Sequence, residues 1–179
     1  MANKTVPAAV LMAACCTAGL SAQAPAPKPG AEQKALARFA GTWKIEGNLE
    51  ASPMGPGGKM SGSEKCTMFE GGWHLLCDST GTGPMGTMKG HAVLTYDRNA
   101  NQYRYFAINN MADAETATGT LSGNTWTWNG TTEQGGQKIH SRFTLVETSP
   151  TVHTVKWEMS MDGKSWKTVM TGKSTKAGT

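Results

Sequence analysis

Four histidines, His74, His91, His140 and His153, hold most of this chain's capacity for proton or metal chemistry near neutral pH. No two of them lie at metal-ligand spacing on one strand. His153 shares the alternation of Val155, Trp157 and Met159, so it is expected to point inward near a barrel end. There an imidazole could bind haem or a metal, or could simply be a hydrogen-bonded or rim histidine. His140 goes with Arg142 on a solvent face, and His74 faces Phe69 as a packing pair.

Methionine comes next. Met54, Met60, Met85 and Met88 lie in Gly-rich loops, where thioethers could ligate Cu(I). Methionine also fills irregular gaps, and no Met-x-x-Met-His cluster is present, so no metal is expected. Asp113 and Glu115 read as a pair of surface acids rather than an acid/base couple. Gly81-Thr82-Gly83-Pro84 lacks the following helix that a phosphate cradle needs, and no Gly-x-Ser-x-Gly elbow occurs. With no nucleophile–base pair and no metal set, no catalytic residue and no cofactor are assigned, and an enzyme ranks behind two non-catalytic readings.

Of the four cysteines, Cys15 and Cys16 sit in an apolar N-terminal stretch, leaving Cys66 and Cys77 for the domain. Between them, Glu70-Gly71-Gly72-Trp73 signals a hairpin turn of two residues. Residues placed symmetrically about Gly71-Gly72 face each other, which sets Cys66 opposite Cys77 on one side of the sheet. A disulfide is therefore expected, stabilising by roughly 2–3 kcal/mol through the short loop it closes.

The N-terminus reads as an address. Met1–Lys4 carries one positive charge, Val6–Leu20 is apolar, and Ala22-Gln23-Ala24 supplies small residues, the order of a Sec signal peptide over residues 1–24. Cleavage after Ala24, cleavage after Ala22, and lipid anchoring at Cys15 through a loose lipobox (Leu11–Cys15) all remain open. Residues 25–33, opening with Pro25-Ala26-Pro27-Lys28-Pro29-Gly30, read as a flexible Pro-rich tether, and residues 34–175 as the folded domain. The chain is expected to be exported, to the periplasm or beyond.

Composition narrows the classes further. A formal charge of +4 with no basic run argues against nucleic acid, and no later apolar stretch is long enough for a transmembrane span. Oligomeric state is not legible here.

One short helix is expected over residues 31–40, ended by Gly41; strand-like alternation follows. Trp43, Ile45, Gly47 and Leu49 share a face. The turn Asp97–Asn101 sets Tyr96 against Tyr103 and Leu94 against Tyr105; Gly123-Asn124 sets Leu121 against Trp126. Gly135-Gly136 sets Trp126 against Leu145 and Trp128 against Phe143. Val155, Trp157, Met159 and Met161 share a face before the Asp162–Ser165 turn, and the 148–151 loop must contain a bulge or be odd in length. Sequential hairpins without intervening helices indicate an all-β fold, a single up-and-down antiparallel barrel of about 8–10 strands with one short N-terminal helix.

Phe39-Ala40-Gly41-Thr42-Trp43-Lys44-Ile45-Glu46-Gly47 resembles the opening of calycin-type barrels. That resemblance implies that Trp43 packs across one barrel end, with Lys173 the basic partner on the last strand. The whole domain resembles a bacterial family known only as domain of unknown function 1579. The resemblance is carried by Gly41-Thr42-Trp43, Glu70-Gly71-Gly72-Trp73, Leu94-Thr95-Tyr96-Asp97 and Met161-Asp162-Gly163-Lys164, and the family supplies no catalytic residues. Two functions follow. In the first, a small apolar ligand sits inside the barrel among Trp43, Trp126, Trp128, Phe143, His153, Trp157 and Met159. In the second, the barrel is solid and an envelope protein acts through surface contacts with a macromolecule.

Overall fold

The computed structural model describes residues 28–52 and 55–178, with only the backbone of Gln134. The expected signal segment with Cys15, the start of the tether, and Met54 lie outside the described residues.

A short helix, α1 (Ala31–Leu36), begins where the Gln33 Oε1 accepts a hydrogen bond from the Gly30 N–H at 2.9 Å. It tightens into a 3₁₀ turn over Ala37–Phe39. Ten strands follow: β1 (Gly41–Leu49), β2 (Gly58–Met68), β3 (His74–Gly83), β4 (Gly86–Asp97) and β5 (Gln102–Asn109). The second half is β6 (Ala114–Ser122), β7 (Thr125–Gln134), β8 (Gln137–Ser149), β9 (Val152–Ser160) and β10 (Lys167–Lys176). Each strand pairs antiparallel with its neighbours in sequence, and β10 returns to β1, closing the barrel. Closure leaves no edge strand unpaired.

The turns set the register where their residues demand it. Gly71 and Gly72 have φ of 83° and 74°, a left-handed conformation that side chains resist. The Phe69 N–H still donates to the His74 carbonyl at 2.8 Å, so this turn takes four residues rather than the expected two. Its centre is unchanged, and Cys66 pairs with Cys77 in a disulfide. The pairs Tyr96–Tyr103, Leu94–Tyr105, Leu121–Trp126, Trp126–Leu145 and Trp128–Phe143 also form as the turns require. The expected irregularity before β9 is a register shift between Glu147 and Ser149, which places Leu145 opposite Val155.

Two expectations are corrected. Met161 does not extend the inner face of β9: the strand ends at Ser160, where Asp162 gathers the Lys164 and Ser165 N–H groups, and Met161 is exposed. The basic partner of Trp43 is Lys176, whose Nζ lies 5.3 Å from the ring centre, not Lys173. The β1–β10 register sets Trp43 against Lys176, while Lys173 falls opposite Glu46 on the outer face.

Close backbone approaches explain several inward glycines. A Cβ on Gly62 would sit 2.4 Å from the Thr80 carbonyl oxygen, and one on Gly119 would sit 2.5 Å from the nearest carbons of the Trp128 ring. These positions let the sheet curl tightly and let an indole lie flat on the wall. Gly119→Ala is expected to destabilise the fold by about 1–3 kcal/mol in chemical denaturation, because the ring has buried neighbours on its other sides. Reduction of Cys66–Cys77 should lower stability by about 3 kcal/mol, read the same way before and after reductant.

Candidate functional site

Inward positions of the barrel fall into two zones. At the helix end, Leu36 and Phe39 drop into the opening and meet Trp43, Tyr103, Trp126 and Trp128, all buried. The rings satisfy one another: Phe39 lies 5.1 Å and Tyr103 4.8 Å from Trp126 edge-on, and Trp126 stacks at 6.0 Å with Trp128. The indole N–H groups are also placed. Trp43 Nε1 donates to the Phe39 carbonyl at 2.7 Å, and Trp126 Nε1 donates to Glu147 Oε1 at 2.6 Å. Arg38 pairs with the same Glu147 oxygen at 3.1 Å. This end is a plug.

His153 belongs to the plug. Its ring sits 4.1 Å from that of Trp43 and 5.3 Å from Phe39, and burial pushes its pKa down, with nearby Lys176 and Arg38 adding to the effect against Glu147. The other histidines face different partners. His74 Nδ1 meets Thr95 Oγ1 at 2.8 Å, His91 pairs with Asp78 at 2.8 Å, and His140 lies beside Gly163.

Beyond the plug the interior changes character. Phe143, Trp157 and Met159 keep the inward parity of their strands yet are only half-buried, as are Ile45, Glu64 and Tyr105. Between them the wall presents Gly47, Gly62, Gly81, Gly90, Gly130 and Gly172, which contribute no side chain. Eight strands give an interior that side chains just fill, and ten give a wider one. The zone is thus less completely buried than the plug. At the far end a recess of about 20 Å³ lies over Trp157, lined also by Leu49, Pro56, Met85 and Val169. A separate open depression of about 280 Å³ lies at the β4–β5 pair, lined by Lys89, Gly90, His91, Ile108 and Asn109.

Of the seven residues named from sequence, Trp43, Trp126, Trp128 and His153 belong to the plug, while Phe143, Trp157 and Met159 keep the inward parity beyond it and are half-buried, Phe143 packing against the plug itself. Sequence reading missed Glu64 and Tyr105. Glu64 lies between Trp43 on β1 and Ser79 on β3, with its carboxylate within 4.8 Å of both disulfide sulfurs. Its side chain is half-buried, and burial raises its pKa. Among the described residues it has no hydrogen bond and no ion pair. Tyr105 is pushed up by burial first, then by Glu115 and Glu64. Glu115, opposite Ala107 near the rim, is itself raised by desolvation and by Asp113. The signal for Glu64 was available: it shares the parity of Cys66. The joined sulfurs have no thiolates to offer, so Glu64, Cys66 and Cys77 are not a metal centre in this state.

The family described as "Protein of unknown function (DUF1579)" matches residues 28–176. The chain belongs to this family. No curated protein matches it. Among solved structures, Rv2717c from M. tuberculosis is 10% identical over 83% of this chain and 99% of that one, with a TM-score of 0.59. The S-type phycobiliprotein lyase CPES from Guillardia theta is 11% identical over 83% of this chain and 93% of that one, with a TM-score of 0.52. EF1p2_mFAP2b bound to DFHBI is 14% identical over 81% and 98%, with a TM-score of 0.46. The likeness to the first two is one of fold.

Two outcomes follow from the burial of these groups. The lowered pKa keeps His153 neutral in the fold, so its contribution is complete above the free value of about 6.5 and fades as pH falls below it. NMR should show one imidazole still neutral well below that pH. Glu64 has the opposite sign: its raised pKa means that ionisation costs the fold stability as pH rises through the carboxyl range. Glu64→Gln should therefore raise the melting temperature at pH 7, with little change at pH 4.

Proposed function

We propose that this protein is an exported binding module that holds one small, largely apolar molecule in a cup, the half-buried zone above the aromatic plug. The observation that carries this reading is the half-burial of inward-facing Phe143, Trp157 and Met159 beside a floor that is otherwise dry. Aromatic and thioether walls with a few convergent polar groups are the usual make-up of a small-molecule site. Export is supported by the N-terminal charge and apolar pattern together with a disulfide in the domain. In the same reading, Trp43, Trp126, Trp128 and His153 act as a rigid base for the ligand.

Titration with a panel of neutral aromatic and lipid-like molecules should change the tryptophan emission saturably. Trp157→Ala should weaken the best binder on the order of tenfold, the loss of a large aromatic wall contact. A flat response across the panel would leave the filled-barrel alternative standing instead.

A further inference from the structure

The cup contains a carboxyl group that nothing in the fold explains. Glu64 is half-buried and adds no hydrogen bond or ion pair to the barrel among the described residues, so its partial desolvation is not offset by any protein partner. Tyr105, the titratable group that feels the Glu64 charge, brings no positive charge of its own. The cations at the closed end are engaged elsewhere: Lys176 lies over Trp43, and Arg38 pairs with Glu147.

Resting on the cup reading above, the geometry points to Glu64 as the anchor for an organic cation, an amine carried on an aromatic or apolar body. An ammonium beside this carboxylate would supply the missing counter-charge and a charge-assisted hydrogen bond. The ring of Tyr105, which lies within electrostatic reach of Glu64, favours a cation with an apolar flank. A divalent metal fits less well, since it would need several oxygen ligands and finds one carboxylate beside a disulfide. The tyrosine hydroxyl of Tyr105 provides a second, neutral polar contact.

Three probes sharing one body test this: 2-(1-naphthyl)ethylamine, 2-(1-naphthyl)ethanol and 1-naphthaleneacetic acid, each titrated calorimetrically into the wild-type protein and Glu64→Gln. At pH 7.5 the amine should bind about tenfold tighter than the alcohol, with the acid weakest. In Glu64→Gln the amine should fall to the level of the alcohol, whose own affinity stays within about threefold. Equal binding of amine and alcohol to the wild type, or a preference that survives Glu64→Gln, would overturn the anchor while leaving the cup intact. No binding of any probe would overturn both readings. Should the variant fail to fold, the wild type alone decides: the amine-to-alcohol ratio should shrink as pH falls from 8 to 4 and Glu64 takes up a proton. A ratio constant over that range refutes the proposal.

Discussion

A sheet of ten strands closed on itself has a wide interior, and the rest of this structure follows from how the large side chains are distributed within it. Tight packing is favourable wherever it can be reached, since each buried large apolar side chain contributes about 1.5–3 kcal/mol. The chain concentrates its large aromatics at one end and caps them with Leu36 and Phe39. Beyond them the interior combines glycines with half-buried Ile45, Phe143, Trp157 and Met159 and the polar groups of Glu64 and Tyr105. A uniform filling would have spread the indoles evenly; the observed segregation buries one end fully and leaves the inward side chains beyond it half-buried.

The solid end has two roles. It braces the first and last strands, because Trp43 of β1 is held between His153 of β9 and Lys176 of β10. It also provides a dry floor, with both buried indole N–H groups of Trp43 and Trp126 already bonded. Polar atoms satisfied internally make no demand on a ligand. Glu64 is different: it stands at the border between floor and cup with its charge unbalanced, a local cost of the kind that folds tolerate where a site requires it. The outer wall shows how the same chemistry looks when it is purely structural. There Glu158 is held by Lys156 at 2.6 Å and Arg142 at 2.9 Å, and its pKa goes down rather than up.

Much of the barrel was legible because hairpin register is a local property. Gly71-Gly72, Gly123-Asn124 and Gly135-Gly136 each fix a centre of symmetry, and every pair up the ladder follows by counting. Even the four-residue turn at Glu70–Trp73 left the pairing of Cys66 with Cys77 untouched. The β1–β10 seam had no such guide. No turn joins those strands, so their register depends on the stagger of the closed barrel, and Lys176 rather than Lys173 came to lie on Trp43. The candidate site was half legible for a related reason. Aromatics on alternating positions announce an interior, whereas Glu64 in Ser63-Glu64-Lys65 looks like ordinary surface charge until Cys66 shows which way its strand faces.

Sequence alone thus determined the strands, the hairpin pairings, the disulfide and the aromatic inner face, since all depend on neighbours within a few residues or on alternation along one strand. Tertiary structure decided which inward residues end up dry and which wet, because that depends on barrel circumference and on the plug delivered from α1. It also decided that one acid faces the cup without a partner. Solvation and electrostatic pairing are set by groups brought together from distant strands, and no local pattern in the chain encodes them.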